Sequence, residues 1–188
     1  MSDKPDEPFA AIETSRLRIR CTRVQDAGVV ANLMTPGVSQ WLASWPTPFT
    51  REMAAARIEN CRSLAYARRG MSCVIEKSGE VIGWIESQVL VEDRKCAALG
   101  YWLGERHQRH GYVREAAATF VPAAFEFLNV AKIEAGAQPG NAGSFSIMRG
   151  LGMRFVDRRK VLAESRGREE ICPFYAISRP LIAEPASE

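Results

Sequence analysis

Alternating apolar and polar positions open the ordered part of the chain. Residues 17–21 read LRIRC, a two-residue period that predicts a strand with its arginines on one face. Asp26 is placed to cap a helix running to about Met34, which Pro36-Gly37 ends. Trp41 and Trp45 flank a short segment, four apart and so able to share one face of a short helix. Thr50 then begins a longer helix over residues 51–69, with Met53, Ile58 and Leu64 among its apolar positions and Gly70 closing it. Residues 71–77 and 80–89 flank Ser78-Gly79, a strong hairpin signal, and residues 97–103 form a third consecutive strand. A helix from Gly111 to about Leu128 follows, with Pro122 expected to kink it. Residues 132–138 read as a strand, Asn141 caps another helix that Gly152 ends, and residues 155–163 and 169–178 form a closing hairpin. The order β-α-α-β-β-β-α-β-α-β-β describes one α+β domain over residues 12–181, with polar tails at 1–11 and 182–188 expected to be flexible.

Composition narrows the classes. With 188 residues, 46% of them apolar, the chain has enough material for one sizeable core. Its net charge of +3 is too small to argue for nucleic acid, and the aromatics near its basic loop fall on a strand expected to be buried. Five widely spaced cysteines with no CxxC favour reduced thiols in a cytoplasmic protein over zinc or a disulfide framework. His107 and His110 have no third ligand near them in sequence, so no metal is expected. The longest nearly apolar stretch, around residues 116–125, is too short to span a membrane, and the acidic N-terminus does not read as a signal peptide.

The stretch that carries chemistry is LGYWLGERHQRHGYVREA, residues 99–116. A strand passes through a basic loop into a helix at Gly111. A helix N-terminus leaves unpaired N–H groups that, with the helix dipole, form an anion site. Arg106, Arg109, Arg114, His107 and His110 surround the same turn, and Gly111 allows positive φ or a close approach of ligand to backbone. These features predict a cradle for a phosphorylated ligand.

Three segments together resemble the GNAT superfamily of acyl-CoA-dependent N-acetyltransferases, most closely its RimJ/RimL branch: TSRLRIR at 14–20, the strand–loop–helix, and PGNAGSFSIMRGLGM at 139–153. The resemblance implies a mixed central sheet of about seven strands flanked by about four helices, with acetyl-CoA as cosubstrate. Gln108, Arg109, His110, Gly111, Tyr112, Val113 and Arg114 correspond to the family's pyrophosphate loop, with Val113 where a small residue is usual. Trp102-Leu103 corresponds to the splayed strand whose main chain pairs with pantetheine, and Asn141 to a residue that meets the pantetheine arm, or serves as a plain helix cap.

Acetyl transfer needs a neutral amine, a polarised carbonyl and a proton for the departing thiolate. The resemblance places the usual proton-donating tyrosine at Met148, which cannot donate, and leaves Ser144 as the candidate donor. The usual glutamate base falls at Ala98, and Glu86 on the neighbouring strand is the substitute. An acetyl-cysteine route through Cys61, Cys73 or Cys96 has no histidine to support it. Deprotonating a lysine amine at pH 7 costs roughly 4.6 kcal/mol, against about 1 kcal/mol for an α-amine. A site without a strong base therefore suits an α-amine, such as a ribosomal or other protein N-terminus. A small-molecule amine acceptor and a non-catalytic coenzyme A-binding module are the alternatives, and the family allows a homodimer. Residues 38–49, with Trp41 and Trp45, and the hairpin near 158–170 are expected to shape the acceptor side.

Overall fold

The computed structural model describes residues 7–179. The outer part of the expected N-terminal tail, the last two residues of the expected domain and the whole expected C-terminal tail lie outside the described residues. Eight strands form one sheet in the order β1-β2-β3-β4-β5-β6-β8-β7. The strands are β1 (Ile12–Glu13), β2 (Arg18–Cys21), β3 (Gly70–Lys77), β4 (Glu80–Val89), β5 (Cys96–Leu103), β6 (Lys132–Gly136), β7 (Arg154–Ala163) and β8 (Arg168–Ser178). Every neighbouring pair is antiparallel except β5 and β6. The helices are α1 (Ala27–Leu33), α2 (Pro36–Ser39), α3 (Arg51–Tyr66), α4 (Tyr112–Leu128) and α5 (Ala142–Gly150). The two-residue β1 and the one-turn α2 are the additions to the expected seven strands and four helices.

The sheet is covered on both faces. On one, Phe120, Val121 and Ala124 of α4 pack on Ile19, Ile75, Ile85 and Leu99, with Met148 of α5 in the same cluster. On the other, Val30 of α1 and Ile58 of α3 pack on Val74, Trp84 and Trp102. The arginine face of β2 belongs to this second side, and Arg20 is 7% exposed there. Its guanidinium donates to both oxygens of Asp26 at 2.8 Å and to Glu76 at 2.8 Å. Asp26 does precede α1, but its side chain accepts from Arg20 and from the Arg23 N–H of the preceding turn rather than capping α1.

Two punctuation signals resolve differently from expectation. Pro36 opens α2 instead of ending α1, because Thr35 caps the Val38 N–H and proline is well suited to a first helical position. The α3 helix stops at Tyr66, where Arg68 takes the left-handed position at φ 53 and the Arg69 N–H returns to the Leu64 carbonyl at 2.8 Å. Arg68 is held there by its own side chain, which donates to the Phe127 carbonyl at 3.1 Å and lies over the Phe127 ring, so Gly70 is freed to begin β3. Helix α4 runs through Pro122 without interruption to Leu128. Residues at the inner end of the expected N-terminal tail are packed: Phe9 meets Phe127 edge-on at 5.0 Å, and Glu7 pairs with Arg23.

One carboxylate joins the N-terminal turn to α4. Glu115 accepts from the Thr14 hydroxyl at 2.6 Å, the Ser15 hydroxyl at 3.0 Å, and the Arg16 backbone and Nε at 2.9 and 2.6 Å. Burial alone would raise its pKa; these donors outweigh burial and hold it at about 2. A carboxyl depressed on folding stabilises above its unfolded value of about 4.3, and that stability is lost as pH falls toward 2. Glu115→Gln is therefore expected to lower stability at pH 7 on the order of 2 kcal/mol after solvent screening. In thermal melts across pH the gap from wild type should hold above about pH 4.3 and close toward pH 2. A gap that persisted unchanged at pH 2 would assign the effect to packing rather than charge.

Candidate active site

The sheet opens at one place. Parallel pairing of β5 with β6 ends at Ala98 opposite Glu134, after which β5 continues along β4 to Leu103 while β6 stays with β8. Residues 99–103 and 135–137 thus face each other across a gap. The gap forms the middle of a cavity of about 830 Å³ that also reaches Gln108, Arg109 and residues 111–114, the start of α5, and Val38 with residues 41–45; His110 does not line it.

Hydrogen-bond phase decides which peptide groups face the gap. Antiparallel neighbours exchange bonds at every second residue. The Leu90 N–H donates to the Cys96 carbonyl at 2.9 Å and the Gly104 N–H to the Ile82 carbonyl at 3.0 Å, so Gly100 and Trp102 turn their peptide groups toward β4. Leu99, Tyr101 and Leu103 turn theirs into the gap. Of the two residues expected to offer main-chain groups, Leu103 turns its peptide group into the gap and Trp102 turns its own toward β4. The Trp102 side chain is buried against Trp45, with ring centroids 5.1 Å apart.

Beyond Leu103 the chain forms a concave turn of N–H groups. Arg109 has φ 64 and Gly111 φ 79, and Gly111 precedes the first turn of α4. Left-handed residues alternating with ordinary ones, as at Arg109 and Gly111, turn consecutive backbone N–H groups to one side, and the first helical turn adds those of Tyr112, Val113 and Arg114. Val113 does not obstruct this turn, because its side chain is 9% exposed and sits in the core under α4. Gln108 braces the loop from within, its amide donating to the Leu103 carbonyl at 3.0 Å. His110 stacks on Tyr112 at 5.4 Å, and Arg16 covers the same ring at 4.8 Å while donating to the His110 carbonyl. Burial and then Arg106 hold His107 below the usual histidine range. Arg109 and Arg114 line the cavity, and Arg114 also reaches the Ser146 hydroxyl at 3.3 Å. This concave, donor-rich turn with two nearby guanidinium groups fits a pyrophosphate.

At the start of α5, Asn141 caps the helix by accepting from the Ser144 N–H at 3.0 Å. The cap engages Oδ1 and leaves the NH₂ group for the cavity that Asn141 lines. Ser144 lines the same wall, and its carbonyl accepts from the Tyr101 phenol at 3.3 Å. Met148 is fully buried in the core.

Glu86 enters from the other side. It is half-buried, its Oε2 accepts from the Ser72 hydroxyl at 3.2 Å, and it lies across from Gly100, whose missing side chain leaves the carboxylate accessible. Glu86 is the only carboxylate among the described residues lining the cavity. Burial first, then Glu86, push the neighbouring Cys61 thiol up to about 12. All five cysteines are buried, and burial raises Cys73 and Cys96 as well, so none offers a thiolate for an acyl-cysteine route. Ala98 stands opposite Glu134, but that carboxylate is engaged by Arg159 at 2.5 and 3.2 Å and does not line the cavity.

Trp41, Leu42 and Ala43 line one wall of the cavity, and residues 40–43 are held in place by the β7–β8 connection. Arg166 donates to the carbonyls of Gln40 and Leu42 at 3.0 and 2.8 Å, and the Ser165 N–H and hydroxyl reach Ala43 and Leu42 at 2.9 and 2.6 Å. Gln138 adds a bond to Gln40 at 2.8 Å, and Glu170 holds Arg166 at 2.7 Å. Trp41 and Trp45 do not share a helix: Trp41 is 40% exposed on the cavity wall, and Trp45 is core. This clasp carried no motif, although both of its halves fall in the segments expected to shape the acceptor side.

Residues 16–154 match the family of the acetyltransferase (GNAT) domain. One relative, an uncharacterized N-acetyltransferase p20 of Bacillus licheniformis, is 28% identical over 160 residues that span 82% of this chain and 88% of the relative. The fold is similar to that of the ribosomal-protein-S5-alanine acetyltransferase of Vibrio fischeri, with a TM-score of 0.81, 19% identity and coverage of 94% of this chain and 100% of that one. It is also similar to Mycobacterium smegmatis RimJ in complex with CoA-disulfide, with a TM-score of 0.78, 21% identity and coverage of 89% and 84%.

Proposed function

The chain belongs to the GNAT family of acetyl-CoA-dependent N-acetyltransferases, and from that premise we propose that its acceptor is a peptide or protein N-terminal α-amine. In this reading the pyrophosphate of acetyl-CoA rests on the N–H groups from Arg109 to Arg114, and the pantetheine arm lies along Tyr101 and Leu103, as an added strand would. The acceptor enters from the side of Trp41 and Glu86, attacks the thioester carbon directly, and Glu86 anchors the amine or takes its proton. A gap-facing N–H of β5 is placed to stabilise the oxyanion.

The observation that carries the choice of amine is the single carboxylate on the cavity wall. A lone carboxylate is poorly matched to a lysine ammonium, whose deprotonation at pH 7 costs roughly 4.6 kcal/mol, and better matched to an α-amine at about 1 kcal/mol. The two structural neighbours named for ribosomal-protein acetylation and for RimJ support the same class. The clasp over residues 40–43 favours a second reading, in which the acceptor is a small amine held in a closed chamber.

A thiol-release assay with acetyl-CoA distinguishes the two. A peptide carrying only a free α-amine is expected to turn over at least about tenfold faster than one carrying only a free lysine. Faster lysine turnover would overturn the α-amine reading. Polyamine or aminoglycoside turnover exceeding both peptides would establish the small-amine reading, and acetyl-CoA binding with no thiol release from any amine would make the chain a binding module.

A further inference from the structure

Thioester cleavage leaves a thiolate that needs a proton; Met148 has none to give, and no cysteine among the described residues lines the cavity. Among the described residues, five hydroxyl-bearing side chains line the cavity: Ser44, Tyr101, Tyr112, Ser144 and Ser146. Tyr112 lies at the pyrophosphate end, under Arg16 and His110, and Ser146 is engaged there by Arg114. Ser44 belongs to the wall that Trp41, Leu42 and Ala43 line. That leaves Tyr101 and Ser144, which meet where β5 faces the first turn of α5.

Building on the proposed acetyl transfer, we infer that Tyr101 is the residue that protonates the departing coenzyme A thiolate, with Ser144 serving to position the phenol. Tyr101 lines the cavity two residues farther along β5 from the 109–114 turn than Leu103, so in the proposed binding mode its side chain would lie toward the thiol end of the pantetheine arm. Its O–H donates to the Ser144 carbonyl at 3.3 Å, a long bond that a rotation about the C–O bond releases toward the cavity. The Ser144 carbonyl is presented at that point because Asn141 caps the Ser144 N–H and fixes the helix start. A phenol is also a far stronger acid than the alkyl alcohol of serine.

The amine lone pair forms the C–N bond while the carbonyl π pair moves to oxygen. Collapse of the oxyanion breaks the C–S bond and leaves its electron pair on sulfur. The Tyr101 proton passes to that sulfur, giving the free thiol, and the phenolate is restored by the proton lost from the new amide nitrogen through Glu86 or solvent. Burial raises the Tyr101 phenol to about 12, against the lowering effect of its bond to Ser144, so the proton is in place at neutral pH.

Tyr101→Phe is expected to lower kcat about 100-fold, within the range for a general acid, with acetyl-CoA KM changed less than about twofold. Ser144→Ala, which keeps the backbone carbonyl, should lower kcat by less than about threefold. Substituting at position 101 a multiply fluorinated tyrosine that ionises near neutrality should create an alkaline fall in kcat where wild type is flat, a readout that packing alone does not produce. The acceptor is whichever amine wild type acetylates, so an error in acceptor class shows in the wild-type screen and an error about Tyr101 only in the ratio of variant to wild type. The inference is overturned if Tyr101→Phe retains kcat within threefold, if Ser144→Ala accounts for the loss, or if the fluorinated variant follows the wild-type pH profile.

Discussion

Replacing Asp26 with alanine is expected to destabilise the fold by about 3 kcal/mol, which for a chain of this size lowers the melting temperature by roughly 6–12 °C. Arg20 and Asp26 are 7% and 6% exposed and form a two-bond pair at 2.8 Å. Taking two charges out of water is costly, and the pair offsets that cost only while both members remain. Without the carboxylate, the guanidinium retains Glu76 at 2.8 Å and the Cys21 carbonyl at 3.1 Å. The loss is therefore placed at the lower end of the range for a broken buried pair. The Arg23 N–H loses its acceptor as well, at the turn that feeds α1. Urea or thermal unfolding measures the loss, and a change below about 1 kcal/mol would mean that Glu76 alone compensates Arg20. The triple replacement Arg20→Met, Asp26→Leu and Glu76→Gln should recover part of the stability, because it leaves no buried charge without its partner, while the Arg23 N–H still lacks its acceptor.

This pair also marks a limit on what the sequence discloses. The period in LRIRC correctly indicates a strand with its arginines on one side, but period alone does not say whether that side meets water or a helix. Features whose geometry is local were legible. Ser78-Gly79 takes left-handed φ values of 50 and 81, as the two-residue turn requires, and Gly111 takes 79 at the start of α4. The αL residue after α3 was not legible, because Arg68 holds that strained position through a bond to Phe127, 59 residues away in sequence. The clasp joins residues as far apart as Gln40 and Arg166, 126 positions, through backbone carbonyls that carry no sequence signature. Which peptide groups of β5 face the gap was not legible for a related reason. Which peptide groups are free depends on the hydrogen-bond phase with β4, and a one-residue change of phase exchanges Trp102 for Tyr101.

Gly111→Val is expected to weaken acetyl-CoA binding by roughly 10- to 100-fold while leaving the fold and the acceptor side intact. At φ 79 a β-branched residue is a strong outlier, and holding it there costs roughly 1–3 kcal/mol. Volume is not the obstacle: a Cβ at Gly111 meets only the Arg16 guanidinium at 3.7 Å. The chain relieves the strain by rotating out of the left-handed region, which re-aims the peptide between residues 111 and 112 and the N–H groups that follow it. If those N–H groups hold the pyrophosphate, that cost appears as lost affinity, since each 1.4 kcal/mol is tenfold. Calorimetric titration with acetyl-CoA measures it directly, and acceptor KM should stay within about twofold. Gly79→Val is the matched control. Gly79 has φ 81 with nothing within 4 Å of an added Cβ, so it carries the same backbone penalty in a hairpin outside the cavity. It should lower stability comparably and leave acetyl-CoA affinity unchanged. Equal loss of affinity in both variants would mean that global strain, and not the turn at 109–114, governs binding.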